Sequence, residues 1–456
     1  KSNSFCTLLI MDPQQQRVTS RVLPQPPETT VGGEAPGTTN AAIEQLIGSD
    51  PAACRYVKRR HLGSGSFGSA WKVEESTTGL PYAAKLMNTN QMSAKDRGFV
   101  ANEVRCLKAC DHPNIVKHVL STDVDGMILI VMEYADGGDL YKQIKARQPG
   151  MKYFKEHEIL FIFLQLCLAL DHIHCQRMMH RDLKTANVLL TATGLVKLGD
   201  FGFSRMYEDS LSNPVGSTFC GTPYYLSPEL WRRAPYSKKS EMWALGCVLY
   251  EVMALRRPYS GRHMDDLIDN IIHARYEPLP EHYSPELRNV VAQLMQIDPA
   301  KRPSLRQLFQ QPFIRNNGLT TLKRSVENHS RIPEQTRNEL VQSINNVLAC
   351  ESADYDGPRV VPKTGTLKRH AAESGWKDCV LTLSENAIEM RDVDDGATET
   401  VELKALTSVC PIDATIAIEQ FVFAMKNQTG KAFWFKEKDQ ASFEEWLTVL
   451  QNAMPY

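Results

Sequence analysis

His180-Arg181-Asp182-Leu183-Lys184-Thr185-Ala186-Asn187, followed eighteen residues after Asp182 by Asp200-Phe201-Gly202, is the stretch on which the reading of this chain turns. Phosphoryl transfer asks for positioning and charge neutralisation more than for covalent chemistry. Asp182 can accept a hydroxyl proton, and Lys184 can balance charge on a transferring phosphate. Asn187 and Asp200 offer the hard oxygen donors that magnesium prefers. Either tripeptide alone could be an accident of loop sequence. Both in this order, behind the features upstream, leave chance a poor account.

Working outward, Gly63-Ser64-Gly65-Ser66-Phe67-Gly68 is a G-x-G-x-x-G run. Its glycines let backbone N–H groups approach phosphate oxygens. A dinucleotide fold would need a helix straight afterwards, but Ala70-Trp71-Lys72-Val73 continues as a strand, which suits a hairpin lid. Lys85 follows in the strand-like Tyr82-Ala83-Ala84-Lys85, and Glu103 comes eighteen residues later in a helix-like segment. A buried ammonium is costly without a partner, and Glu103 can supply one. The pair would hold Lys85 against the α- and β-phosphates.

The 456 residues are 42% hydrophobic and 23% charged, with a formal net charge of -1. That balance fits a soluble globular protein of two or three domains and argues against nucleic acid as a partner. The eleven cysteines include no C-x-x-C pair, which points to a reduced intracellular compartment. The twelve-residue run Ile159–Leu170 is expected to be a buried core helix, too short to cross a bilayer. No signal pattern opens the chain, which begins at Lys1, so Met11 is a candidate start.

Residues 1–54 are rich in Pro, Gln, Thr and Gly and are expected to be mostly disordered, with a short helix near 41–47. A β-rich lobe from Tyr56 gives way to helical sequence up to Phe313, defining a domain at 55–314. Residues 315–360 read as a polar linker with one amphipathic helix, Pro333–Leu348. Within 361–456, strands are expected at Trp376–Leu383, Ala387–Arg391, Thr400–Leu403, Gln420–Met425 and Ala432–Phe435, and a helix from Asp439 to Ala453. There is no internal repeat.

Tyr56 to Ile314 resembles the eukaryotic protein kinase family. Ser227-Pro228-Glu229 stands at the family's A-P-E, whose Glu pairs with the arginine matched by Arg302. D-L-K-x-x-N with Gly221-Thr222-Pro223-Tyr224-Tyr225 resembles the serine/threonine branch. Gly63 to Ala70, Gly199 before D-F-G, and Cys220 to Glu229 resemble the NIMA-related kinases. The resemblance implies an α+β bilobal kinase fold, ATP and Mg²⁺ as cofactors, and protein substrates. Leu62, the run Gly63–Gly68, Ala70, Ala83 and Leu189 would enclose the nucleotide. Met132 would be the gatekeeper, Glu133 and Ala135 the hinge, and Asp139 a ribose ligand. Thr218 matches an activating phosphosite that Arg181 could read. Ala186 implies no strong preference for basic residues upstream of the target, and Phe203 implies Ser over Thr. One residue departs from the pattern: Glu241 stands where the family has Asp, whose carboxylate accepts N–H bonds from the catalytic loop. The extra methylene could displace that loop.

Gly365-Thr-Leu-Lys-Arg369, Trp376 to Leu381 and a last helix carrying Trp446 and Leu447 resemble a pleckstrin homology domain, implying a seven-strand barrel capped by a helix. A kinase joined to such a domain resembles protozoan members of the NIMA-related family. Lys368, Arg369 and Lys377 could bind a phosphoinositide, but Cys379 replaces an expected arginine, so a protein ligand or autoinhibition is the preferred role. The chain is expected to be cytoplasmic and not transmembrane, with cytoskeletal or membrane association through this domain. Two other readings stay open: a pseudokinase scaffold, which Glu241 favours, and a membrane-recruited adaptor dominated by the C-terminal domain.

Overall fold

A computed structural model describes residues 41–65, 68–90, 92–202, 204–206, 222–350, 363–371, 375–384, 387–411 and 421–453. Ser66, Phe67, Phe203 and Thr218 lie outside the described residues. The chain divides into two compact units, the first ending at Cys350.

The first unit opens with α1 (Ala41–Leu46) and β1 (Ile47–Gly48), followed by β2 (Tyr56–Gly65), β3 (Gly68–Glu75), β4 (Pro81–Asn88), α2 (Ala94–Ala109), β5 (His118–Val124) and β6 (Met127–Glu133). Among the described residues these strands form one sheet of order β1-β2-β3-β4-β6-β5. The β2–β3 hairpin pairs Gly65 with Gly68, and a Cβ at Gly68 would meet the Leu86 carbonyl oxygen at 2.0 Å. Only glycine fits there, because β4 backbone occupies the space. The register sets Ala70 opposite Lys85 and Ala83 opposite Met132.

The short helix expected near 41–47 is present as α1, and the segment that follows it is folded onto the sheet. β1 pairs in parallel with β2, and Ile43 and Ile47 bury against Tyr56, Val73, Ala84, Leu129 and Val131. Ile43 on α1 and Ile47 on β1 thus dock the segment onto the apolar sheet.

Next come α3 (Leu140–Arg147), α4 (Glu156–Cys175), β7 (Met178–Met179), β8 (Val188–Leu190), β9 (Val196–Leu198) and β10 (Arg205–Met206). The helices α5 (Pro228–Trp231), α6 (Lys238–Ala254), α7 (Met264–Ile272), α8 (Pro285–Leu294) and α9 (Leu305–Gln310) follow in the larger lobe. α4 has 20 residues, and its length and composition would suffice to cross a membrane, which corrects the shorter estimate. Its apolar side chains, from Ile159 to Ile173, are instead spent in the core with Trp243, Leu245 and Leu249 of α6. Chain direction changes are fixed by local caps: Ser284 accepts from the Leu287 N–H at 3.2 Å, and Ser304 and Gln307 form a capping box on α9.

The helix expected at Pro333–Leu348 is present, but the segment that carries it packs into the larger lobe and is not a linker up to Cys350. Residues 313–319 form a π-helical turn that runs into α10 (Thr320–Glu327), and α11 (Glu334–Ala349) follows. Leu319, Leu322, Val326, Leu340, Ile344 and Val347 join the core of the larger lobe. The segment is polar in composition because only one face of each helix is apolar.

The second unit carries β11 (Lys363–Ala371), β12 (Gly375–Leu383), β13 (Ala387–Asp392), β14 (Thr398–Glu402), β15 (Leu406–Pro411), β16 (Val422–Asn427), β17 (Ala432–Lys436) and α12 (Gln440–Ala453). Among the described residues its seven strands form a single sheet, β14-β13-β12-β11-β17-β16-β15. Trp446 and Leu450 of α12 fill its core with Phe423, Phe435 and Met425. Gly365 is where the Trp446 ring comes closest, 3.0 Å from where a Cβ would stand.

One ion pair ties the larger lobe together. Arg302 is 1% exposed, and its two terminal nitrogens bond the two Glu229 oxygens at 2.8 Å each. Its remaining donors reach the carbonyls of Gln296, Lys239 and Ile297. Burial pushes the Glu229 carboxyl up, but the hydrogen bonds and charge of Arg302 outweigh it, so the group sits below its ordinary value. Its contribution is complete above the unfolded carboxyl value of about 4.3 and fades as pH falls through the lower folded value. Arg302→Met should strand a buried carboxylate and cost about 3–5 kcal/mol, read from amide exchange of α6 across a urea series. For Glu229→Gln the deficit against the native chain should narrow below pH ~4.

Candidate active site

The stretch from His180 to Asn187 lies between β7 and β8, and Asp200 follows β9. Two non-glycine residues in this region have left-handed backbone: Arg181 at φ 65° and Asp200 at φ 61°. A non-glycine residue there costs about 1–3 kcal/mol unless its surroundings hold it. For Arg181 the holder is Glu241, fully buried on α6, whose Oε1 accepts the Arg181 N–H at 2.7 Å. Tyr236 donates its hydroxyl to the same oxygen at 3.3 Å. The extra methylene of Glu241 is thus accommodated, and the bond expected of a shorter aspartate is made. His180 braces the other side: Nε2 lies 3.0 Å from the Gly199 carbonyl, and the ring packs edge-on against Phe201 at 5.2 Å.

The sequence-derived residues converge. Lys85 Nζ on β4 lies 2.6 Å from Glu103 Oε1 on α2 and 3.8 Å from Asp200 Oδ1. Lys184 Nζ lies 2.7 Å from Asp182 Oδ2 and donates to Thr222 Oγ1 at 3.1 Å. Asn187 donates from Nδ2 to the Asp182 carbonyl at 2.8 Å and to its Oδ2 at 3.2 Å. Lys85, Glu103, Asp182, Lys184 and Asn187 are each less than a tenth exposed. Burial raises the Asp182 carboxyl above the usual carboxylate range, with Lys184 opposing it and Asp200 adding to it. Burial also raises Glu103, opposed by Lys85 and reinforced by Asp200.

A divalent cation fits this donor set. Asn187 Oδ1 is buried with no hydrogen-bond partner among the described residues, and the Asp200 side chain is 3% exposed. An amide oxygen kept without a donor is costly unless something else meets it. Asn187 and Asp200 are the residues that would hold a magnesium ion, a hard cation suited to such oxygens.

Around the nucleotide position, Ala70, Ala83 and Met132 lie on adjacent strands, and Leu189 is half-buried on β8. Asp139 is committed locally: Oδ1 caps α3 through the Lys142 N–H at 2.8 Å, and Oδ2 bonds Lys142 Nζ at 2.8 Å. Each oxygen keeps a second lone pair, so the carboxylate that starts the helix can still accept a further hydrogen bond. Glu133, a hinge residue by the resemblance, also commits its side chain: Oε1 is 2.8 Å from the buried Lys197 Nζ, and Oε2 accepts from the Lys117 N–H at 3.2 Å. Sequence reasoning missed this clasp, because Lys197 sits far along the chain with no motif to mark it. Ser204, also missed, donates to the His180 carbonyl at 3.2 Å, and Asn102 on α2 donates to the Ser204 carbonyl.

Removing the carboxylate of Glu241 should release Arg181 and misplace Asp182. Glu241→Ala is expected to lower phosphate transfer to a generic protein acceptor about a hundredfold. Glu241→Gln, which keeps an accepting oxygen, should lose far less, and steady-state rates of the two variants check it.

Comparison with known proteins agrees with this geometry. The family described as "Protein kinase domain" matches residues 56–314. "Putative serine/threonine-protein kinase A" of Trypanosoma brucei brucei is 38% identical over 426 residues, covering 90% of this chain and 98% of that protein. "Serine/threonine-protein kinase Nek1" of Mus musculus is 41% identical over 260 residues, 57% of this chain and 21% of Nek1. "Serine/threonine-protein kinase Nek5" of Homo sapiens is 39% identical over 263 residues, 58% of this chain and 37% of Nek5. With a match over more than half its length and a relative aligned nearly end to end, the chain belongs to the protein kinase family and is a serine/threonine kinase with Nek-type relatives.

Proposed function

We propose that the chain moves the γ-phosphoryl group of ATP onto serine and threonine hydroxyls of protein substrates, using Asp182 to accept the hydroxyl proton. The observation that carries this is the buried cluster in which Asp182, Lys184 and Asn187 meet beside Lys85, Glu103 and Asp200. Lys85, fixed by Glu103, orients the α- and β-phosphates. Lys184, 2.7 Å from Asp182, is placed to follow negative charge as it grows on the transferring group. Magnesium held by Asn187 and Asp200 would neutralise phosphate charge and align the oxygens. Thr218 is proposed as the activating phosphosite, read by Arg181, whose guanidinium now stacks over Tyr236 at 5.1 Å.

For residues 361–456 we propose a pleckstrin-homology-like docking domain for a protein ligand. The strand order and closing helix support the assignment, and the ion pairing supports the ligand class. Lys368 Nζ pairs with Asp378 across the first hairpin at 3.0 Å, while Arg369 and Lys431 both pair with Glu399. Cations already answered by carboxylates have less to offer a phosphoinositide headgroup.

Asp182→Asn should abolish autophosphorylation and peptide phosphorylation of the full chain while leaving ATP binding within about twofold; equal signals from variant and native chain would end the kinase reading. Since Asp182 must be ionised to take a proton and its pKa is raised, turnover should fall on the acid side, beginning above the ordinary carboxyl value of about 3.9. A kcat–pH profile at saturating ATP checks this. The full chain should not sediment selectively with vesicles bearing phosphoinositides over vesicles of equal charge without them.

A further inference from the structure

The family match stops at residue 314, but the fold of this unit does not. We propose that α11 is a positioning element of the phosphate-transfer site, acting from Ser343 through His112. This deepens the kinase reading above and rests on it.

His112 lies in the turn that joins α2, the helix of Glu103, to β5. Its Nδ1 accepts the Asn114 N–H at 3.1 Å. The neutral ring therefore carries its proton on Nε2, which stands 3.0 Å from Ser343 Oγ on α11 and donates to it. On its other side the ring meets His172 of α4, with centroids 5.2 Å apart. The imidazole is held between a helix inside the family boundary and one outside it.

What His112 holds leads to the site. The side chain of fully buried Asn114 donates to Gln165 Oε1 at 2.9 Å and to the Val196 carbonyl at 3.0 Å. Its backbone carbonyl takes the Leu198 N–H at 2.8 Å, and the Val116 N–H is bonded to the Leu198 carbonyl at 3.0 Å. Leu198 ends β9, two residues before Asp200. One turn thus connects three things: the end of the helix that carries Glu103, the strand that delivers Asp200, and α11.

α11 is itself firmly seated, as an anchor must be. Leu340, Ile344 and Val347 are buried at helical spacing. At its C-terminal end, Arg315 donates to the Leu348 carbonyl at 2.5 Å and Gln310 to the Cys350 carbonyl at 2.6 Å. These bonds join α11 to the π-helical turn and to α9.

The test uses the full-length chain with Ser343→Ala and Ser343→Thr. Ser343→Ala is expected to lower kcat roughly threefold to tenfold, the size of one lost polar anchor, with the KM for peptide unchanged. Ser343→Thr, which keeps the hydroxyl, should restore the native kcat. Amide exchange should quicken in Ser343→Ala at Ile115, whose N–H is bonded within this turn, and at Val116 and Leu198, whose N–H groups bond the turn to β9. An unchanged kcat and unchanged exchange in Ser343→Ala would overturn the proposal, as would a Thr variant as impaired as the Ala variant. If the native chain showed no phosphate transfer, the kinase reading would fail by itself. The exchange measurement would still decide whether Ser343 anchors the turn.

Discussion

Three carboxylates, those of Glu103, Asp182 and Asp200, are buried around one cleft, and the ammonium groups of Lys85 and Lys184 stand among them. Such crowding is unfavourable until cations complete it, because each anion pays for lost hydration and feels the others. Burial raises Asp182 and Glu103, and the charge of Asp200 raises both further. The imbalance is the property a triphosphate enzyme needs: a site short of positive charge in the form that divalent metal supplies. Much of the surrounding architecture can be understood as restraint on this cluster. Left-handed Arg181 turns Asp182 into the cleft, Glu241 holds Arg181, and the Glu229–Arg302 pair fixes α6 under Glu241.

The legible part of this site was the part with fixed spacing. His180 to Asn187 and Asp200 form contiguous or near-contiguous motifs whose side-chain chemistry declares itself. Lys85 and Glu103 could be paired because a buried ammonium requires a partner. Glu229 and Arg302 came from the resemblance, and the structure joins them through two short bonds. The β-rich and helical lobes were visible in the switch from alternating to helical periodicity.

The rest was hidden for definite reasons. The helices at 41–46 and 334–349 were legible from their spacing, but the packing of both segments into a core was not, because composition averages over faces and the apolar sets Ile43 with Ile47, and Leu340 with Ile344 and Val347, are too sparse to raise the mean. The pairings of Lys368 with Asp378 and of Arg369 with Glu399 depend on strand register, and register is settled by packing across the sheet. Glu241 looked like a defect because side-chain length can be compared along a sequence, whereas the give of the surrounding backbone cannot. The Glu133–Lys197 clasp joins positions more than sixty residues apart, with no motif at either end.

The short parallel pairing of Ile47–Gly48 with Tyr56–Val57 has a practical bearing on how this protein can be divided. A chain cut at the family limit near Tyr56 would strip the cover from the flank of the small lobe. Unbonded amides on β2 and the oily patch formed by Tyr56, Val73 and Leu129 would then face solvent together. Raw sheet margins of that kind invite neighbouring molecules to add strands. The fourteen residues from Ala41 to Cys54 thus serve as a sealing hem, and keeping them should decide whether the small lobe stays monodisperse.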